Sequence, residues 1–200
     1  VAKVATEVFE RLVNADHNIR LTCLFLRRVG ATRAEWREKI PTEGQEMDDI
    51  TFTNTRFDPD LVAFHGIAKE MAKSVGYTAD MSVDAKLAQL LRLRVAQMNA
   101  CSYCLILHTK AAHDQGIHSA KVAHLASWPE STMFSPAELV ALAYCEGLTD
   151  YDLAGFPPLH QAMTDHFSDT EIAEIAAIVI NMNLWTRLKL AQGATPVQET

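Results

Sequence analysis

Arg94-Val-Ala-Gln-Met-Asn-Ala-Cys101-Ser-Tyr-Cys104-Leu-Ile-Leu-His108-Thr-Lys-Ala-Ala112 is the stretch on which the reading of this chain turns. A helix starting at or just before Cys101 places Cys101, Cys104 and His108, spaced by three and four residues, on one face. Two sulfurs and an imidazole then converge at a helix N-terminus. The positive end of the helix dipole and the free N–H groups there favour a thiolate, and a neighbouring histidine can accept or balance the proton. Cys104 lies one turn from His108, which casts Cys104 as attacking thiol, His108 as base and Cys101 as resolving thiol. A thiolate that attacks a peroxide becomes a sulfenic acid, and a second thiol within reach condenses with it before over-oxidation.

Outward from this stretch the pattern stays helical. Upstream, Leu87, Leu90, Leu91, Val95 and Met98 repeat at helical spacing behind Ser82 or Asp84 as caps. Before them, Leu61, Phe64, Ile67, Ala68 and Met71 do the same and stop near Gly76. Downstream, the motif helix is ended by Gly116 and a short helix is expected over 123–128, before Pro129. Ser135-Pro-Ala-Glu138 is a capping box that starts a helix running to about Leu148. Ser168-Asp-Thr-Glu171 repeats the device before a last helix, whose apolar positions Ile172, Ile175, Val179, Met182 and Trp185 surround much of it, predicting a central, buried element. No segment alternates with period two between hairpin turns, so the fold class is all-α, a compact multi-helix domain.

The N-terminal part reads as one or two helices before Gly30 and a short one from Thr32 to about Ile40. Between Pro41 and Asp60 there are six acids, one base and no helical repeat, the mark of a solvated connection. Residues 1–50 are therefore expected to form a helical arm, whose apolar stripes need a surface to cover them, and 51–200 the main helical domain.

Composition narrows the function. A net charge of −7 with pI near 5.6 opposes the clustered Lys and Arg that nucleic acid or an anionic membrane surface requires. The most apolar run, Ile172 to Trp185, is interrupted by Glu174, Asn181 and Asn183 and does not span a membrane. Val1 to Asn14 has no leader pattern, which makes a cytoplasmic protein the expectation.

Four cysteines are too few for a disulfide scaffold, and Cys23 and Cys145, set among apolar residues, read as small buried hydrophobes. Cys101, Cys104 and His108 lack an obvious fourth zinc ligand, and His113, His118 and His124 are spaced by five and six, poor for a metal cluster. A thioredoxin-type Cys-x-x-Cys would follow a strand, which is absent. Arg92 and Arg94 are expected to be solvated or paired with glutamate, and Tyr103 to face away from the Cys–His stripe. Nothing points to a cofactor.

The run Leu91-Arg-Leu-Arg94-Val-Ala-Gln97-Met-Asn99-Ala-Cys101-x-x-Cys104-x-x-x-His108, with Gly116, Phe134-Ser-Pro-Ala-Glu138 and a late Asn183-x-Trp185-x-Arg187-Leu188, resembles the alkylhydroperoxidase D-like (AhpD-like) branch of the carboxymuconolactone decarboxylase superfamily over about residues 60–195. The resemblance implies an all-helical fold assembling as trimers or hexamers and an antioxidant, redox-active disulfide site that reduces hydroperoxides. It implies Cys104 as the peroxidatic cysteine, Cys101 as the resolving one and His108 as part of a proton relay, with an external dithiol or dithiol protein as reductant. The family's glutamate twelve residues before the first cysteine is Gln89 here, which can hold a water but cannot carry a proton as a carboxylate does. The glycine common before the first cysteine is Ala100. With Gln89 in the relay, a disulfide oxidoreductase or redox-sensing module with little peroxidase activity stands as the alternative to a thiol-dependent hydroperoxide reductase.

Overall fold

The chain divides into two units, Val1–Glu46 and Met47–Thr200, and the computed structural model describes residues 50–198, all in the second. The expected N-terminal helical arm and Cys23 lie outside the described residues. The order is β1 (Ile50–Asn54), a 3-10 turn (Pro59–Leu61), α1 (Phe64–Lys73), α2 (Ala85–Met98), α3 (Ser102–Asp114), α4 (Ser119–Ala123), a second 3-10 segment (Leu125–Glu130), α5 (Pro136–Asp150), α6 (Phe156–Met163), α7 (Asp169–Gln192) and β2 (Ala194–Gln198). Among the described residues the fold is all-α apart from one two-stranded sheet, and no helix there is long and apolar enough to cross a membrane.

Local chemistry accounts for most helix starts. Asp84 accepts from the Leu87 N–H at 2.9 Å and begins α2. Ser135 with Glu138 and Ser168 with Glu171 form the two capping boxes, each satisfying two otherwise orphaned backbone donors. Gly116, at φ +69°, turns the chain out of α3.

Two expectations are corrected, and one helix was not anticipated. The stretch expected as one helix over 123–128 is instead α4 ending at Ala123 and a separate 3-10 segment, Leu125–Glu130, kinked at Ser127, whose backbone is non-helical. α6 was not anticipated; Pro157 and Pro158 fall in its first turn, where a missing N–H costs nothing. The stretch read as a solvated connection contains β1, which pairs antiparallel with β2, Thr51 opposite Val197 and Phe52 opposite Pro196. The two strands are at opposite ends of the described chain, so no hairpin turn announces them.

α2 is the most enclosed element, buried from Leu87 to Leu93 and at Val95 and Ala96, and it packs on α3, α5 and α7. The last helix is less enclosed than expected. Its Ile172, Ile175, Ile178, Val179 and Met182 enter the core, while Ile180 is 56% exposed.

The polar lead-in of the motif anchors the end of α2. Asn99 donates to Asn183 Oδ1 at 3.0 Å and to Thr186 Oγ1 at 2.9 Å, and Arg187 donates to the same Asn183 oxygen at 2.6 Å. Arg94 pairs with Glu146 at 2.7 Å and donates to Gln97 at 3.2 Å. These bonds tie the turn before Cys101 to α7 and α2 to α5, which leaves the site little freedom to shift.

Candidate active site

The turn between α2 and α3 delivers the cysteines. Ala100 takes φ +50°, a left-handed conformation that brings Cβ against the following carbonyl and that glycine adopts without this cost. This is the physical reason a glycine suits the position. Ala100→Gly is expected to raise stability by about 1 kcal/mol, read as a higher urea midpoint; a lower midpoint would show that the loss of the methyl group outweighs the relief.

Cys101 caps α3, its sulfur accepting the Cys104 N–H at 3.3 Å, and the two cysteines form a disulfide with their Cα atoms 5.3 Å apart. The sequence suggested that Cys101, near a frayed end, would meet an incoming reductant. The correction is that both cysteines are buried, Cys101 at 1% and Cys104 at 2% exposure, and that the Cys101 end of the helix is well tied, with the Cys101 N–H bonded to the Ala96 carbonyl at 3.2 Å. Cys104, together with His108, borders a cavity of about 350 Å³, and Cys101 does not.

His108 is buried on α3, one turn beyond Cys104. The Gln89 amide nitrogen donates to the His108 carbonyl oxygen at 2.7 Å, which orients the amide, because its own oxygen would repel another acceptor. The same nitrogen lies 3.2 Å from His108 Nδ1, and the Tyr77 hydroxyl lies 2.7 Å from that atom. With donors converging on Nδ1, the ring proton sits on Nε2. Gln89 Oε1 is buried without a hydrogen-bond partner among the described residues. Gln89 thus meets His108 directly and serves as a donor.

Burial, with the charge of Arg92 adding to it, pushes the His108 pKa down to about 3. The imidazole is therefore neutral at neutral pH, and the positive charge beside the disulfide belongs to Arg92. Arg92 was expected to be solvated or paired with glutamate. It is 4% exposed, donates to the Val75 carbonyl at 2.6 Å and stacks 4.9 Å from the centre of the Tyr77 ring. Burial in turn lifts the Tyr77 hydroxyl above its ordinary pKa, with Arg92 opposing, so Tyr77 is a neutral donor to His108.

Tyr77 was missed because it sits in the irregular segment between α1 and α2, where no periodicity marks it. Arg92 carried a faint signal, lying three residues after Gln89 on the same helix face. Tyr103, expected to face away, also borders the cavity; its ring is 4.4 Å from that of Phe52, and Lys189 lies 4.5 Å over it.

Other residues take ordinary places. Cys145 is buried, which pushes its thiol up to about 12 and leaves it a poor nucleophile. His118 caps α4, accepting the Ala120 N–H, and His124 bonds Ser131. Among the described residues no group of three or more His, Cys, Asp or Glu side chains is placed to hold a metal ion. A larger cavity of about 590 Å³, lined by Leu148, Tyr151, Leu153, Phe156 and Ile180 among others, contains none of the cysteine-site residues.

Residues 67–147, which include Tyr77, Gln89, Arg92, both site cysteines and His108, match the Carboxymuconolactone decarboxylase family. Those residues form a carboxymuconolactone decarboxylase family domain. A relative, the uncharacterized protein YdfG of Bacillus subtilis, is 28% identical over 137 residues, spanning 66% of this chain and 93% of that protein. An Agrobacterium tumefaciens protein of unknown function, described as a putative antioxidant defence protein AhpD, has a similar structure, with a TM-score of 0.63, 21% identity and coverage of 68% of this chain and 92% of that one. A debrominase solved with 2,3,4-tribromopyrrole shares the fold at TM-score 0.56 and 17% identity, over 69% of this chain and 71% of that one. The fold is thus AhpD-like, and the debrominase shares it.

Proposed function

We propose that this protein, which carries a carboxymuconolactone decarboxylase family domain, is a thiol-dependent hydroperoxide reductase. The observation that carries the reading is the pairing of Cys101 and Cys104 in a disulfide one helical turn from buried His108, with Cys104 alone of the two bordering a cavity. In the reduced protein the Cys104 thiolate attacks the terminal oxygen of the hydroperoxide. The O–O bond breaks, a sulfenic acid forms on Cys104, and the departing alkoxide takes up a proton to leave as the alcohol. The Cys101 thiol then attacks the sulfenic sulfur, forming the disulfide and releasing water. An external dithiol returns both sulfurs to thiols and leaves as its own disulfide.

The residues around the sulfurs have separable tasks. Arg92 supplies the positive charge that favours a thiolate at Cys104, since the guanidinium stays charged when buried and His108 does not. Tyr77 and Gln89 hold the His108 ring with Nε2–H as the available donor; as Nε2–H protonates the leaving alkoxide, the Tyr77 hydroxyl passes its proton to Nδ1, so the imidazole stays neutral. Because Cys101 is enclosed, the reductant reaches the disulfide through the cavity at Cys104. Assembly as a trimer or hexamer and a cytoplasmic setting belong to the same proposal.

The test is peroxide consumption with excess dithiothreitol. Cumene hydroperoxide and hydrogen peroxide are expected to disappear over many equivalents per chain, well above the rate with dithiothreitol alone. Loss no faster than that background would overturn the reading. The second reading, a dithiol–disulfide exchanger, is favoured by Gln89, since among the described residues His108 Nδ1 is met by Gln89 and Tyr77 and by no carboxylate that could take a proton from the thiol. It is distinguished by reduction of a protein disulfide without peroxide turnover.

A further inference from the structure

The cavity in front of Cys104 has a one-sided charge. Among the described residues that line it, Lys69, Lys73, Arg92 and Lys189 are basic and none is acidic. This is notable in a chain whose net charge is −7. The basic groups are graded in depth: Lys69 and Lys73 expose 54% and 70% of their side chains, Lys189 is half-buried and Arg92 is buried.

Two of the four have carboxylate neighbours outside the lining, Asp60 at 3.7 Å from Lys69 and Glu70 at 2.8 Å from Lys73. No carboxylate of the described residues lies within 4.0 Å of Arg92 or Lys189, and Asp60, whose charge favours the Lys189 ammonium, acts on it only from farther away. Their partners are the Val75 carbonyl and the Tyr77 ring for Arg92, and the Tyr103 and Trp185 rings for Lys189. A cation removed from water without a counter-ion is costly, and in the oxidised protein no thiolate is there to supply one.

The remaining walls select the rest of the ligand. Val75, Leu107, Met182 and the Trp185 ring give apolar surface, and about 350 Å³ suits a molecule with an aromatic or short alkyl body. Asn181, another lining residue, has a buried Oδ1 with no hydrogen-bond partner among the described residues.

We propose that this cavity takes carboxylate-bearing organic hydroperoxides, the carboxylate pairing with Lys189 and Arg92 while the apolar body lies along Trp185 and Met182. The proposal rests on the hydroperoxide-reductase reading for the word hydroperoxide, but the anion selectivity itself does not need turnover. Hydrogen peroxide, neutral and without an apolar body, gains nothing from these groups.

The binding test uses the disulfide form and two unreactive probes of one shape, 4-isopropylbenzoate and 4-isopropylbenzamide, followed by calorimetry. The benzoate is expected to bind at least about tenfold more tightly than the amide at low salt, as a partly desolvated ion pair worth more than about 1.4 kcal/mol requires. That advantage should shrink with added sodium chloride and in Lys189→Gln, a half-exposed site where the substitution leaves the core intact. Equal affinity of the two probes, or an advantage unmoved by salt and by Lys189→Gln, would overturn the proposal.

A kinetic arm compares cumene hydroperoxide with its ring-carboxylated analogue. The ratio of their kcat/KM values is expected to favour the carboxylate by about tenfold and to fall toward unity in Lys189→Gln. If neither hydroperoxide is consumed while the benzoate still binds selectively, the reductase reading fails and the anion site stands. If both are consumed at equal kcat/KM and the probes bind equally, the reductase reading stands and the anion site fails.

Discussion

Cys104→Ser is expected to lower hydroperoxide turnover by at least about 10³-fold, because a serine hydroxyl at neutral pH cannot replace the thiolate as nucleophile. Cys101→Ser is expected to behave differently. Its Cys104 still attacks the peroxide, but no second thiol closes the disulfide, so a single oxidation halts at the sulfenic acid when dithiol is withheld. Trapping with dimedone followed by mass spectrometry should label Cys104 in Cys101→Ser and leave Cys101 unlabelled in Cys104→Ser. The asymmetry follows from placement: Cys104 borders the cavity, whereas Cys101 is enclosed and spends its sulfur capping α3. Labelling of Cys101 in the Cys104→Ser protein, or turnover surviving in it, would reverse or remove the assignment.

The second large effect is an acid sensitivity caused by His108. In the folded, disulfide-bonded protein its pKa is pushed down to about 3, by burial first and by the charge of Arg92 second. In the unfolded chain the imidazole takes a proton below about pH 6.5. Between those values the unfolded state holds one more proton than the folded state, so the contribution of this histidine to stability is complete above about pH 6.5 and falls as pH drops toward about 3. The slope approaches about 1.4 kcal/mol per pH unit and the whole loss reaches about 5 kcal/mol. Urea unfolding of the oxidised protein between about pH 6 and pH 5 is the window to use, since ordinary carboxylates contribute little there. His108→Gln should flatten the slope in that window whatever its effect on absolute stability. Equal slopes in the two proteins would show that His108 is protonated in the folded state.

Local signals explain why so much of this fold was legible. The caps at Asp84, Ser135 and Ser168 and the turn at Gly116 are one-residue devices acting on their own backbone neighbourhood, and the three-and-four spacing of apolar residues reports the same local geometry. The Cys101–Cys104–His108 stripe belongs to this class, because all three groups lie within about two turns of one helix. β1 and β2 escaped notice because each is defined by the other across the length of the domain.

What the sequence by itself determined is the helical class, the positions of most helices and the convergence of two sulfurs and an imidazole, since each depends on residues a few places apart. What only the tertiary structure decided is the electrostatic character of the site. Tyr77 from an irregular segment, Gln89 and Arg92 from α2 and Lys189 from α7 meet around α3 through packing. Burial there, a property of the whole fold, makes His108 a neutral donor and leaves the positive charge to Arg92. A residue's spacing fixes which face it shares; only the elements packed against that face fix its charge and its partners.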